Sequence, residues 1–292
     1  MEYLRGNATA SAIGLYVICR YLSAFEDGQT EAQLRTSLQV LRSRTSSQNE
    51  TSALLKASLT VGEGLGLFGR RDASSPLLLD SAIGDHLVKP GDSWPWFRGE
   101  LLYRIGRYAL KDIEERSQPS DLSLGLTWFL QLDPLNPPNV SWSSGPEQMI
   151  NELQFEAITR SEQWRPFQRW AIATGLAHRC DHREAKVLIP DPSAAIMDQL
   201  PNLPTAASGQ DWLAKVQSRL PFFGSTALLN QLPKRAQEWQ SVPPSLAFGL
   251  LKLERKGVLT MESSDDAIDP LVIRFGKKTR QITRISVRSA ND

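Results

Sequence analysis

The sequence predicts a mainly helical α+β protein made of tandem winged helix-turn-helix units, and three observations predict it. One order of elements recurs along the chain: a helical pattern, a glycine with an apolar run, a polar tip and a second short β-prone run. It occurs in "SALLKASLTVGEGLGLFGRRDASSPLLLD", in "RPFQRWAIATGLAHRCDHREAKVLIPD" and in "PPSLAFGLLKLERKGVLTMESSDDA", the last completed downstream by "TRQITRISVR". Two further helical patterns stand ahead of each. A helix followed by a lone hairpin cannot bury its apolar face, because an isolated hairpin is marginal in water, so the upstream helices are required as partners.

In chain order, "ASAIGLYVICRYLSAF" and "TEAQLRTSLQVL" precede the first hairpin, "DLSLGLTWFLQL" and "EQMINELQFEAI" the second, and "DWLAKVQSRL" and "STALLNQL" the third. The cluster "GEGLGLFG" has no strand pattern ahead of it and fits a helix end entering a wing. Residues 1–90, 120–200 and 201–292 are therefore expected to be three units. Residues 91–119 connect the first to the second through a helix on which Leu101, Ile105, Tyr108 and Ile113 are roughly helically spaced. "DPLNPPNVSWSSGP" holds four prolines and excludes helix, since the residue before a proline is pushed out of the α region. "PDPSAAIMDQLPNLPTAASG" is expected to separate the second unit from the third.

The 292 residues, 41% apolar and 22% charged, suffice for two or three compact cores. Thirty-three Lys and Arg against 32 Asp and Glu give a net charge of +1, so any attraction to nucleic acid must come from local patches. The N-terminus reads as a folded helix rather than a leader, and no apolar run approaches the ~18 residues of a membrane span. Two distant cysteines, Cys19 and Cys180, exclude a disulfide framework and fit a reducing compartment, so a cytoplasmic protein is expected.

In a helix-turn-helix unit the helix before the wing can enter the major groove while basic side chains meet phosphates. At about 100° per residue, Leu246, Ala247, Leu250, Leu251 and Leu253 fill one arc, and Lys252, Arg255 and Lys256 share the opposite side with Phe248. Glu254 falls on the apolar arc and breaks the pattern. The following hairpin adds Arg274, Lys277, Lys278, Arg280, Arg284 and Arg288, with no acid from residue 271 to 288. The second unit offers Arg165, Gln168 and Arg169 on its helix, with Arg179, Arg183 and Lys186 in its wing. The first has only Lys56 on the helix and Arg70 and Arg71 at the wing, so it is expected to meet protein. A solvated basic face and an acidic protein partner are the rival accounts of the third unit's charge.

Catalytic motifs are absent: there is no phosphate loop, no Gly-x-Ser-x-Gly elbow and no His-Glu-x-x-His helix. No cofactor is expected. In "HRCDHREAK" a strand would set His178, Cys180 and His182 on one face as a weak metal candidate, although a structural zinc needs a fourth ligand. Glu184 and Lys186, with Asp181 upstream, superficially resemble a nuclease carboxylate cluster, but at too short a spacing for two strands. Trp128, Trp170 and Trp212 sit at helical apolar positions and are expected in the core. Trp94, Trp96 and Trp142 are expected in Pro- and Gly-rich loops as anchors for a partner.

"LTWFLQLDPLNPP", "FQRWAIATGLAHR" with "KVLIPDPSAAIMDQLP", and "PPSLAFGLLKLERKGVLTMESSDDA" with "ITRISV" resemble the DpdG proteins of bacterial clusters that insert 7-deazaguanine bases into DNA and restrict unmodified DNA. The resemblance covers about residues 120 to 288, and the N-terminal unit fits in kind more than in wording. It implies a non-catalytic subunit of a phage-defence machine beside helicase or nuclease partners, and it carries over no active residue. The expectation is an adaptor that contacts double-stranded DNA through its third unit. A freestanding transcription regulator, which would normally be a dimer, and a pure protein scaffold are the alternatives.

Overall fold

The computed structural model describes residues 2–38, 52–181, 186–233, 242–263 and 269–288. Helix α1 (Ala12–Leu22) starts at Ser11, whose side chain accepts from the Gly14 amide, and α2 (Glu31–Ser37) starts in a reciprocal Thr30–Gln33 capping box. Between them the Gln29 backbone pairs with Leu77, N–H to O at 3.1 Å and 2.8 Å in the two directions. Helix α3 (Ala53–Gly64) then leads into β1 (Phe68–Gly69) and β2 (Leu78–Leu79), followed by α4 (Ser81–Leu87) and the long α5 (Trp94–Glu114).

The second stretch repeats the order. Helix α6 (Asp121–Leu130) precedes a single bridge between Asn139 and Val187, then α7 (Pro146–Leu153), α8 (Ser161–Ala173), β3 (Ala177–Asp181) and β4 (Lys186–Pro190). Pro138, which has no N–H to give, lies at this sheet edge and accepts from Leu188 at 2.9 Å, so the proline-rich loop, whose only helical piece before Pro146 is the 3-10 turn Trp142–Ser144, also carries an edge bridge.

The third stretch repeats it again with additions. Helix α9 (Ser193–Gln199) precedes β5 (Ala206–Ser208), α10 (Gly209–Arg219), the four-residue α11 (Thr226–Leu229), α12 (Pro244–Arg255) and β6 (Leu259–Glu262). A separate hairpin, β7 (Leu271–Phe275) with β8 (Lys278–Ile282), is inserted before β9 (Arg284–Val287), which lies between β5 and β6. In all three stretches a segment ahead of the second helix thus pairs at the last strand of the sheet, through a single bridge at Leu77 just before β2 and at Val187 in β4, and through β5 on β9.

All three helix-to-hairpin junctions share one turn. Leu67, Leu176 and Val258 donate to the carbonyls of Gly62, Ala171 and Leu253, five residues back, at 2.9, 2.9 and 3.0 Å. The residue before each is a glycine at φ +61°, +73° and +73°, the left-handed conformation this helix end requires.

Two expectations change in the third stretch. "TRQITRISVR" is not one strand: it breaks at Thr283 into β8 and β9, which belong to different sheets. The stretch taken as a separator contains α9, which packs on both α5 and α12.

Helix α5 is the hub rather than a mere connector. Phe97, Leu101, Leu102, Ile105 and Ala109 are buried along it, and it touches α1, α6, α9, α10 and α11. Arg98 holds Asp198 with two nitrogens, Gln199 donates to the Gly99 carbonyl at 2.7 Å, and the Arg219 guanidinium lies 3.8 Å above the Tyr103 ring. The buried Asp121 carboxylate fastens the N-terminal strap by accepting from the amides of Tyr3 (2.7 Å), Leu4 (2.9 Å) and Arg5 (3.2 Å). Trp128, Trp164, Trp170 and Trp212 are fully buried, as helical spacing predicts for three of them.

Replacing Asp121 with alanine strands these amides. Urea unfolding of Asp121→Ala is expected to show a loss of about 1.5–3 kcal/mol, the usual range for hydrogen bonds to a charged group.

Candidate nucleic-acid interface

Each of α3, α8 and α12 precedes a hairpin, so each is a candidate for the reading position. On α12 the outward arc holds Pro244, Phe248, Lys252, Arg255 and Lys256, with Leu251 half-buried at its edge, and β7 packs on the helix. The Phe275 ring stacks on Phe248 with centroids 5.4 Å apart and planes at 25°. Leu271, Ile273 and Ile282 point inward and are buried, which fixes the hairpin as part of the core. Glu254, out of place on a helical wheel, accepts from Arg280 at 2.6 Å and from the Met261 amide at 3.3 Å.

Two of the expected DNA contacts are thereby spent inside the fold. The Lys252 ammonium is ion-paired with the buried Asp191 carboxylate, and Arg280 binds Glu254, the Met261 carbonyl and Ser263. Burial pushes the Asp191 carboxyl up, but hydrogen bonds from Lys252 and Ser193 outweigh it and hold the group below the ordinary carboxylate value.

Arg255, Lys256, Arg274, Lys277, Lys278 and Arg284 are exposed and have no ion pair or side-chain hydrogen bond among the described residues. Arg274, Lys277 and Lys278 surround the tight β7–β8 turn at Gly276 (φ +56°), whereas Arg284 lies opposite Glu262 in the β6–β9 register. Arg255 and Lys256 extend the exposed charge past the end of α12, beyond Phe248.

In the second stretch Arg165 and Arg169 are both exposed on α8, and Arg169 donates to the Ala8 carbonyl. In β3, His178 is exposed and Cys180 half-buried, while Asp181 pairs with Arg179 at 3.0 Å. His182 and Glu184, needed by the metal and nuclease candidates, lie outside the described residues, and among those described no three His, Cys, Asp or Glu side chains converge.

Of the three tryptophans expected in loops, Trp142 lies in a 3-10 turn of the proline-rich loop and the other two are placed differently. Trp94 and Trp96 open α5 around Pro95, a residue tolerated in a first helical turn. Trp94 meets Tyr16 edge-on at 5.2 Å, Trp96 stacks on His86 at 4.0 Å, and Trp142 leans on Trp164 at 6.4 Å. All three are half-buried in the fold. A cleft of about 470 Å³ between α4, α5 and the α9–α10 region is lined by His86, Lys89, Trp96, Glu100, Asp198 and Arg219 among others. Its carboxylates Glu100 and Asp198 are paired with Arg104 and Arg98.

These features describe a protein of three like helix-and-hairpin stretches with a cluster of exposed positive charge at the β7–β8 turn. A family model described as DpdG-like matches residues 4–267, and the chain belongs to that family. The match takes in the first stretch and ends ahead of β7–β8. No curated protein and no solved structure matches the chain. Among the described residues no helix is long and apolar enough to cross a membrane.

Because Asp191 titrates below its ordinary value of 3.8 when folded, the stability it confers is full above that value and fades as pH falls through the depressed one. Lys252→Met should be about 1–3 kcal/mol less stable than the wild type at neutral pH, and the gap should narrow below about pH 4. Urea midpoints measured for both proteins across a pH series test this.

Proposed function

We propose that the chain is a tandem array of three winged helix-turn-helix units that serves, without catalysis or cofactor, as a DNA-contacting adaptor in the Dpd modification and restriction machinery. Family membership supports a place in that system. The repeated order of helix, edge strand, two helices and hairpin, with the edge strand on the last strand, supports the winged-helix reading.

The observation that carries the DNA contact is the β7–β8 turn. Arg274, Lys277 and Lys278 stand exposed there on a hairpin anchored by three buried aliphatic side chains. Phosphates are matched by such a rigid, positively charged tip, which tracks the backbone without reading sequence. In the third unit it is therefore the hairpin, and not α12, that meets duplex DNA. The first unit, with only Lys56 on the outer side of its reading helix, is the surface for an enzymatic partner such as a helicase or nuclease.

The test is binding to a labelled random-sequence duplex over a salt series. Log affinity of the wild type is expected to fall linearly with log salt, and Lys277→Ala/Lys278→Ala should lower the slope by about 1.8, which is two phosphate contacts at ~0.9 each. No binding at low salt would remove DNA from the proposal and leave a protein scaffold.

A further inference from the structure

We propose that α8 is the helix that reads base edges in the major groove, with Arg165 as the reading side chain directed at guanine. This rests on the DNA-contact reading above and adds sequence recognition to it.

The three repeats allow a direct comparison, because the same position in each is occupied by α3, α8 or α12. On α12 the outward arc is closed by Phe275 over Phe248 and by the Lys252–Asp191 pair, so only its last turn, Arg255 and Lys256, is open. A groove cannot admit a helix whose centre already carries a hairpin. On α3 the open arc is Ala53, Lys56 and Thr60, with Glu63 at its edge. Of its two wing arginines, Arg70 is consumed internally by Glu63 at 2.7 Å and Glu31 at 3.4 Å, and Arg71 stands exposed off the helix. That arc offers a single cation and no planar donor.

The arc of α8 is open and carries the right chemistry. Glu162, Arg165, Arg169 and Ile172 are exposed along one side, within about 80° of one another at 100° per residue. Arg169 is anchored on the Ala8 carbonyl, which leaves Arg165, in the first half of the helix, with no ion pair or side-chain hydrogen bond among the described residues. Reading helices place their N-terminal half against base edges, and a guanidinium matches guanine O6 and N7 with two parallel hydrogen bonds. Glu162, one turn earlier, can accept from cytosine N4, so the pair suits a G·C-containing step.

The opposite side of the helix holds this arc in place. Trp164, Phe167 and Trp170 are fully buried, and Trp164 Nε1 and Gln168 Nε2 both donate to the Val140 carbonyl at 2.9 Å. A rigid helix fixes the backbone that carries the reading side chain, so binding orders only the Arg165 rotamers. In the described part of the neighbouring wing Arg179 is neutralised by Asp181, which leaves Lys186 as an exposed cation beside the helix.

The experiment selects binding sites from a randomised duplex library with the whole protein, then with Arg165→Ala and with Lys277→Ala/Lys278→Ala. Thermal unfolding checks that each variant folds, which is expected because all three side chains are exposed. The wild type should enrich a motif with a fixed guanine, and Arg165→Ala should lose about tenfold of the discrimination at that position. The lysine variant should keep the motif while binding every sequence more weakly. If the wild type binds but enriches no motif, or Arg165→Ala keeps the same guanine preference, the assignment of α8 is overturned and the backbone contact stands. If nothing binds at low salt, both readings fall.

Discussion

A two-stranded hairpin has too little apolar surface to hold itself together in water, and this constraint organises the whole molecule. The β1–β2, β3–β4 and β6–β9 pairs are each joined by a bridge or short strand from ahead of the second helix and fed by the same glycine turn at the end of the third, and the inserted β7–β8 hairpin instead rests on α12. The four sheets among the described residues remain small, so most of the core lies between helices. Helix α5 supplies the common surface that joins the first and third stretches, and the Asp121 clamp ties the N-terminus to the second.

The repeat was legible because its parts are local: apolar periodicity, a glycine, and a β-prone run within a few residues of each other. The edge strands were not. Gln29 and Asn139 each make a single bridge, and no run of alternating residues marks them; β5 is only Ala206–Ser208. Their strand character exists only because a partner strand lies beside them. Helix α9 was hidden for a related reason, since its seven residues lie between prolines and owe their order to packing against α5 and α12.

The charged residues were legible as a list and misleading as a surface. Helical spacing set Lys252 opposite the apolar arc, and nothing local reveals that Asp191, sixty-one residues away, would be buried within its reach. Glu254 and Arg280 each looked anomalous or free alone and explain each other as a pair. Phe248 on a basic face was the one local hint of a cover, because an exposed aromatic beside lysines calls for a partner, which proves to be Phe275. Tryptophans at helical spacing were placed correctly, whereas Trp94 and Trp96 around Pro95 were not, because a proline in a first turn starts a helix as readily as it ends one.

The account of function turns on the seating of β7–β8 on α12, which both closes one reading helix and presents the basic turn. A double-mutant cycle of Phe248→Ala and Phe275→Ala, read by urea unfolding, measures that seating directly. Stacked rings should give a coupling energy of about 0.5–1.5 kcal/mol. A cycle in which the two losses simply add would mean that the hairpin does not rest on α12, and that α12 remains open to a partner.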